Sequence, residues 1–344
     1  MPDSPGGIVS VIVVNWNRKE LLRACLESLS KQSGVQIEII VVDNGSTDGS
    51  AEMVENCSLP IKLIRNAENR GFCEANNQGF AAANGEWIAL LNNDAEAEPN
   101  WLASMVAAVR SDPTIGMIAS KILVWEDPTI IDKTGHLIYL DGQNRGRGSG
   151  QRDVGQFDRV EEVLWPDGCA AMYKRDMIRQ IGGFDEDFFA YGDDAELGLR
   201  GRIAGWKCVY APGAVVKHHR GATLGVLSTA RIELIERNRV LLAVKLFPWR
   251  ILCLNAIFYL ARLAAGALAA IANRGEVRRF QGFRAKCNLA MALMRADWAA
   301  LKLTPKMLRK RSQLRPLRKL NPSEVTSLLL QHRITLKELM YQAI

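Results

Sequence analysis

Four short apolar runs alternate with helical periodicities over the first hundred residues, and each run ends in a side chain with an amide or a carboxylate. That order constrains the fold more than any other feature. Ile8–Val14 is a β-branched run that stops at Asn15-Trp16-Asn17. Ile37–Val42 stops at Asp43-Asn44-Gly45, Ile61–Ile64 at Asn66, and Trp87–Leu91 at Asn92-Asn93-Asp94. β-branched and continuous apolar runs of this length suit strands covered on both faces. Between them, Leu21, Leu22, Cys25, Leu26 and Leu29 repeat at helical spacing, and helices are expected near 19–30, 50–55 and 75–83. A β-α-β-α-β-α-β order predicts an α/β fold with a doubly wound, mostly parallel sheet. Ligands of such sheets sit beyond the carboxyl ends of the strands. Asp94 therefore falls where the chemistry is done, although an aspartate at that place also serves as a helix cap.

Several ligand classes are excluded by motif. No GxGxxG follows the first run and no GxxxxGK[ST] is present, which argues against a dinucleotide fold and a P-loop. A sugar-1-phosphate nucleotidyltransferase needs a Gly-rich basic loop after the first strand, and Asn15-Trp16-Asn17-Arg18 does not supply one. Met1–Gly7 has neither the basic nor the apolar region of a signal peptide, and seven scattered cysteines without a CxxC pair fit a reducing cytoplasm.

Further along, Pro99-Asn100-Trp101 opens a helix to about Val109, and Gly116–Ser120 reads as a strand. The stretch Asp141–Gln156, rich in Gly and Arg and without periodicity, is expected to be a mobile loop. Trp165–Tyr173 resumes strand character, a helix follows at Arg175–Ile181, and Lys207–Tyr210 and Ala214–Val216 read as two strands. Asp193, Asp194 and Glu196 begin a helix after the aromatic Phe188-Phe189-Ala190-Tyr191. Asp193 with Glu196 is spaced as a capping box. That spacing leaves Asp194 unassigned, and a carboxylate fixed at a helix start beside apolar rings is placed as a general base. His218 and His219 point to opposite faces if they lie in a strand. One imidazole, Asp94 and two phosphate oxygens would suit an octahedral Mg²⁺ or Mn²⁺ completed by water.

Taken together these residues resemble family 2 glycosyltransferases, the inverting enzymes of GT-A fold, and in particular the bacterial rhamnosyltransferases of cell-surface polysaccharide synthesis. The resemblance is carried by VSVIVVNWN (9–17), IIVVDNGSTDGS (39–50), NRGFCEANNQG (69–79), ALLNND (89–94), GGFDEDFFAYGDDAELGLR (182–200) and VVKHHRGAT (215–223). It implies that Asn15 and Asp43, with Asn44, hold the base and ribose of a sugar nucleotide. Arg70, Gly71 and Asn76 would line the floor of that site, and Asn92 and Asn93 would lie at the donor-binding tip. Asp94 would bind the metal on the diphosphate, His218 would be the late metal ligand, and Asp194, beside Asp193, would be the general base. Two positions depart from the pattern. The first residue of the DxD-type motif is Asn92, and the Glu-Asp pair is Asp193-Asp194. A non-catalytic nucleotide-sugar-binding protein is the alternative that Asn92 raises.

Two domains are expected, a glycosyltransferase domain over 1–240, with a nucleotide-sugar half to about 115 and an acceptor half after it, and a helical region over 241–344. The charge of the chain is +7 overall, but Asn273–Lys319 holds fourteen Lys/Arg against Glu276 and Asp297, a local +12 that leaves −5 for the rest. This distribution does not suit a general nucleic-acid binder. Ile251–Ala272 is long enough to span a bilayer. Arg262 in its middle is costly there, and Asn255, Tyr259, Arg262 and Gly266 share one stripe. The pattern suits a helix lying in an interface or packed on the body. With the basic segment that includes Arg278, Arg279, Arg309, Lys310 and Arg311, it leads to an expectation of peripheral attachment to the cytoplasmic face of the inner membrane. The acceptor there would be a glycan or a lipid-linked glycan.

Overall fold

A computed structural model describes residues 7–109, 112–220, 228–271 and 283–341. The expectations for Gly221, Thr223, Ala272, Arg278 and Arg279 lie outside them. In chain order the elements begin β1 (Val9–Asn15), α1 (Lys19–Ser30), β2 (Ile37–Asp43), α2 (Ser50–Glu55), β3 (Ile61–Arg65), α3 (Gly71–Ala82) and β4 (Trp87–Leu91). There follow β5 (Ala95–Ala97), α4 (Trp101–Ala108), β6 (Ile115–Val124), β7 (Ile131–Lys133), β8 (His136–Ile138), β9 (Asn144–Gly146), β10 (Glu161–Val163) and β11 (Ala170–Lys174). The rest is α5 (Arg175–Ile181), α6 (Asp193–Ile203), β12 (Lys207–His218), α7 (Thr229–Leu246), α8 (Trp249–Ile271), α9 (Phe283–Gln313), α10 (Pro322–Gln331) and α11 (Leu336–Tyr341).

Among the described residues, ten strands form one sheet with the main order β10-β12-β6-β11-β4-β1-β2-β3. β3, β2, β1 and β4 are parallel, as are β6 and β12, and most of the paired length is parallel. β11 runs antiparallel between β4 and β6. The order reverses direction at β1, so the crevice between the ends of β1 and β4 is the switch point where α/β sheets bind ligands. β1 and β4 approach closely because Gly85 precedes β4. A Cβ there would stand 2.4 Å from the Ile8 carbonyl oxygen.

The layers follow the sequence pattern. β2 and β4 are buried along their apolar residues, as parallel strands covered by helices on both faces must be. Leu22, Cys25, Leu26 and Leu29 of α1 join Val9, Val11 and Val13 in one core. The other face holds Ile12, Phe80, Tyr173 and Trp165. That second core continues through Leu241–Phe247 into Ala300, Met307, Val325 and Leu329. Residue 240, where a domain boundary was expected, falls inside α7.

Three local expectations are corrected. The stretch 141–156 is not a featureless loop. It contains β9, which pairs with β8, and Gln151 and Gly150 bond the backbone of Ile131. Its polar composition is used in ion pairs: buried Lys121 reaches Asp153 at 2.8 Å, and also Asp158 just beyond the stretch at 2.6 Å. The two strands expected over 207–216 are one strand, β12, with an irregularity between Ala211 and Val215. The strand expected from Trp165 starts at Ala170, because residues 167–170 form a turn closed by the Ala170 amide on the Asp167 carbonyl.

The helical region is tied to the sheet by charge as well as packing. Lys245 of α7 lies between Asp185 at 2.5 Å and Glu196 at 2.7 Å, all three buried. Burying two carboxylates requires such a partner, since an unpaired buried charge costs several kcal/mol. Lys310 of α9 pairs with Asp185 and Asp187, and Lys306 with Asp187. Lys245→Met is expected to lower the unfolding free energy by about 3–5 kcal/mol, measured by urea denaturation. A loss below about 1 kcal/mol would show that Asp185 and Glu196 are satisfied without it.

Candidate active site

The strand ends meet as a connected polar layer. The buried Asn15 side chain donates to Asp43 at 3.3 Å and Ser46 at 3.2 Å, and it accepts from Asn93 at 2.7 Å. The second Asp43 oxygen accepts the Ser46 amide at 3.0 Å. Parallel register places Asn15 opposite Asp43, so the pairing follows from β1–β2 alignment. Asn15, Asp43 and Asn93 are therefore brought together across the switch point.

The floor residues divide. Asn44 is fully committed to the chain: its oxygen accepts from Asn66 and the Arg70 amide, and its nitrogen donates to Asn69 and the Gly71 carbonyl. It shapes the loop 66–71. Asn76 is buried and donates to the Phe72 carbonyl of its own helix at 2.9 Å. Arg70 is about half exposed and pairs with Glu74 at 2.6 Å. Gly71 has φ +83°, and a Cβ on it would stand 2.5 Å from the Phe189 ring. Phe189 and Tyr191 themselves hold φ of 62° and 66°. Such conformations cost of the order of 1–3 kcal/mol each and persist where surrounding structure enforces them.

Asp94 sits at the turn between β4 and β5. β5 pairs antiparallel with the end of β12, Ala95 opposite His218, which brings the His218 ring beside Asp94. His218 Nε2 is 3.5 Å from Asp94 Oδ1. That oxygen is buried and has no hydrogen-bond partner. The other ring nitrogen of His218 is held by Asp132 at 2.8 Å, and Asp132 in turn accepts from Arg220 at 2.8 Å. A carboxylate behind an imidazole fixes its orientation, and here it leaves Nε2 turned toward Asp94. His219 faces away, stacked on Trp125 at 4.1 Å and 3.6 Å from Glu96. The Asn92 backbone bonds Cys169 and Ala95, and its side chain is half-buried.

The second carboxylate cluster lies across the turn before β11. The expected capping box is absent. Gly192, in the left-handed region, takes the N-cap position, Asp193 is the first helical residue, and Glu196 pairs with Arg200 at 2.8 Å and with Lys245. The hydrogen bonds that a box would supply are replaced by buried ion pairs. Asp194 accepts from the Ala195 amide at 2.7 Å and the Gly168 amide at 3.3 Å, and lies 3.5 Å from His136 Nε2. His136 is also 2.9 Å from Asp167, which Lys133 approaches to 2.5 Å. Burial raises both aspartates above the ordinary carboxylate range. For Asp193 the charge of Asp194 adds to this, and for Asp194 the fields of His136 and Lys133 oppose it. Burial also works against the charge of Lys133, but Asp167 and Asp132 outweigh it and hold the ammonium protonated.

Ligand atoms of His136, Asp167 and Asp194 lie within 4.8 Å of one another, close enough to share a cation. The ammonium of Lys133 already stands on Asp167. The turn 167–169 links the two clusters, since Gly168 bonds Asp194 and the Cys169 carbonyl accepts the Asn92 amide at 2.8 Å. Asp132, Lys133, His136 and Asp167 were not singled out by sequence reasoning. They lie some thirty to ninety residues from their partners. The one local hint was a set of charged residues interrupting an apolar run at Ile130-Ile131-Asp132-Lys133.

The mostly parallel sheet with this polar layer at its switch point has the GT-A fold of glycosyltransferases, as comparison with known proteins shows. The chain belongs to the family "Glycosyl transferase family 2", whose family model matches residues 10–182. It is 26% identical over 247 residues to an N-acetylglucosaminyl-diphospho-decaprenol L-rhamnosyltransferase of Mycobacterium tuberculosis strain H37Rv, covering 63% of this chain and 78% of that one. Among solved structures it is similar in fold to a mannosyltransferase of Pyrobaculum calidifontis in complex with GDP-Man and Mn²⁺. The TM-score there is 0.52 at 21% identity, with 96% of this chain and 89% of the other covered. It is also similar to GalNAc-T7 with UDP, GalNAc and Mn²⁺, at TM-score 0.57 and 16% identity, covering 88% and 59%.

Because the field of His136 lowers Asp194, removing it is expected to raise Asp194 further. A raised base is protonated at higher pH, so its activity is lost earlier as pH falls. His136→Gln should therefore shift the acid limb of the kcat/KM profile to higher pH. A limb that stays in place would show that His136 does not act through Asp194.

Proposed function

We propose that this glycosyltransferase moves a sugar from a nucleoside-diphosphate sugar to a hydroxyl of a glycan or lipid-linked acceptor, with inversion, in cell-surface polysaccharide synthesis. The donor is a dTDP- or UDP-sugar, and dTDP-rhamnose is the first to test. The similarity to a rhamnosyltransferase named for a diphospho-decaprenol substrate supports the lipid-linked class. Such an acceptor places the enzyme on the cytoplasmic face of a membrane.

The observation that carries the reading is the buried Asp94 oxygen that has no hydrogen-bond partner and meets only the Nε2 of His218, at an ion-pair distance of 3.5 Å, on an imidazole fixed from behind by Asp132. An orphaned carboxylate oxygen is costly unless a ligand completes it. Asp94 and His218 would hold a divalent cation, Mg²⁺ or Mn²⁺. When bound, that cation would neutralise charge on the departing diphosphate. Asn92 leaves the tip with one charge fewer than an aspartate would.

In the reaction, Asp194 takes the proton of the acceptor hydroxyl. The acceptor oxygen forms its bond to the anomeric carbon as the bond from that carbon to the diphosphate oxygen breaks. The electron pair leaves with the diphosphate, and the configuration inverts. Asn15, Asp43 and Asn93 hold the base and ribose, Asn44 fixes the floor loop, and Arg70 stands at its rim beside Gly71 and Asn76. Asp193, its buried neighbour at the start of α6, is the second candidate for the catalytic carboxylate.

Donor turnover with Mn²⁺ tests the assignment. Asp194→Asn is expected to lower kcat by about 10²–10⁴ with little change in donor affinity, and Asp94→Ala to abolish metal-dependent turnover. Proton NMR of the product should show the anomeric configuration opposite to that of the donor. Wild-type rates in both variants would remove Asp194 and Asp94 from the reaction. A wild-type protein that binds donor in the presence of acceptor without turnover would favour the non-catalytic reading raised by Asn92.

A further inference from the structure

The helices α8 and α9 run antiparallel and touch through long side chains at two places. The Arg311 guanidinium lies 4.4 Å from the Trp249 ring centre, and Tyr259 donates to Asp297 at 3.0 Å. α8 carries a 20-residue stretch, Trp249–Leu268, of mean hydropathy 1.8. Its polar stripe is turned to the body. Asn255 donates to the Leu140 carbonyl, and Arg262 is bound by Asp141 and Glu236, each at 2.6 Å. Those pairs fix α8 lengthwise along the enzyme, so it cannot cross a bilayer as a separate span.

At about 100° per residue, Leu254, Ile257 and Leu260 fall on the side opposite this stripe. They are 48%, 62% and 64% exposed. α9 repeats the arrangement. Ala292, Ala296, Ala300 and Met307 are buried, and the helix packs along α7. Met294, Trp298 and Leu301 on another side are 65%, 61% and 62% exposed. Asp297, which reaches α8, lies between the buried row and the exposed row, so the exposed row of α9 borders α8. The two rows form one apolar face. Lys302 and Arg309, both exposed, line its outer rim with Arg295, which also pairs with Glu233 of α7 at 3.3 Å, and the Lys302 ammonium lies 5.3 Å from the Trp298 ring centre. Over 249–313 the acids in the sequence are Glu276 and Asp297; Asp297 is partly exposed but held by Tyr259 and Arg239, and Glu276 lies outside the described residues.

We propose that this two-helix face seats in the head-group region of an anionic bilayer, both helices in the membrane plane, with the rim cations on lipid phosphates. The rim decides the occupant. In a two-fold dimer the same patch meets itself, which would set the basic rims of two copies against each other. An anionic lipid surface complements them instead, at about 1 kcal/mol for each cation near the surface. A helix of this kind buries its apolar side about 5–10 Å into the leaflet and leaves its polar side outside. The proposal draws its biological purpose from the lipid-linked acceptor reading, but binding is measured without donor or acceptor, so either can fail alone.

The test is flotation of the full chain with vesicles of phosphatidylcholine alone or mixed with phosphatidylglycerol. The wild type should float with the anionic vesicles and release as salt is raised. Leu260→Glu with Trp298→Glu should weaken binding at least about tenfold while leaving donor turnover on a water-soluble acceptor unchanged. Lys302→Glu with Arg309→Glu should weaken binding to anionic vesicles by a similar factor and leave the apolar face intact. Brominated acyl chains should quench tryptophan emission in the wild type and less in Trp298→Phe. Failure of the wild type to float overturns the proposal, as does unchanged binding in both double variants. A lipid-free dimer abolished by Leu260→Glu with Trp298→Glu would assign the face to a second copy instead.

Discussion

Buried negative charge is the constraint on which the rest of this structure depends. Carboxylates of Asp94, Asp132, Asp167, Asp185, Asp193 and Glu196 are all buried near the strand ends or beneath them. Removing a carboxylate from water is costly unless a cation or several donors answer it. Most are answered. Asp132 has His218 and Arg220, Asp167 has Lys133 and His136, Glu196 has Arg200 and Lys245, and Asp185 has Lys245 and Lys310. The unanswered remainder marks the site. One oxygen of Asp94 has no hydrogen-bond partner and only a long, 3.5 Å contact with His218, and Asp193 and Asp194 are held above their ordinary range by burial. An unbalanced charge inside a balanced network is where a substrate or a cation has something to supply.

The same network explains why the helical region belongs to the site's architecture. Lys245, Lys306 and Lys310 grip the loop 185–187, and Arg237 and Asn238 bond the carbonyls of Phe188, Ala190 and Tyr191. These contacts enforce the positive φ of Phe189 and Tyr191 and so set the start of α6, on which Asp194 stands. α7 and α9 thereby set the position of Asp194.

The parallel half of the sheet and the residues at its edge were legible in the sequence, because period and strand endings are local. Asn15, Asp43, Asn93 and Asp94 could be placed from three strand ends alone. That it is His218 rather than His219 that faces the crevice came from the family resemblance; alternation along a strand said only that at most one of the two does. The polar stripe on α8 was legible for the same reason, since helical spacing puts Asn255, Tyr259 and Arg262 on one side. Asp132, Lys133, His136 and Asp167 were not, because their meaning lies in pairings across the sheet that no spacing encodes. The capping-box spacing of Asp193 and Glu196 misled because Gly192, with its left-handed backbone, had already started the helix. The stretch 141–156 misled because charged side chains that look solvated, such as Asp153, pair with a buried lysine.

The most direct test of the central claim is binding of Mn²⁺, read by electron paramagnetic resonance in the presence of UDP or dTDP. The account predicts one bound ion in the wild type, lost in Asp94→Asn, weakened in His218→Gln, and retained in His136→Gln. Retention of the ion in Asp94→Asn, or its loss in His136→Gln alone, would contradict the account and move the cation to the cluster around Asp167.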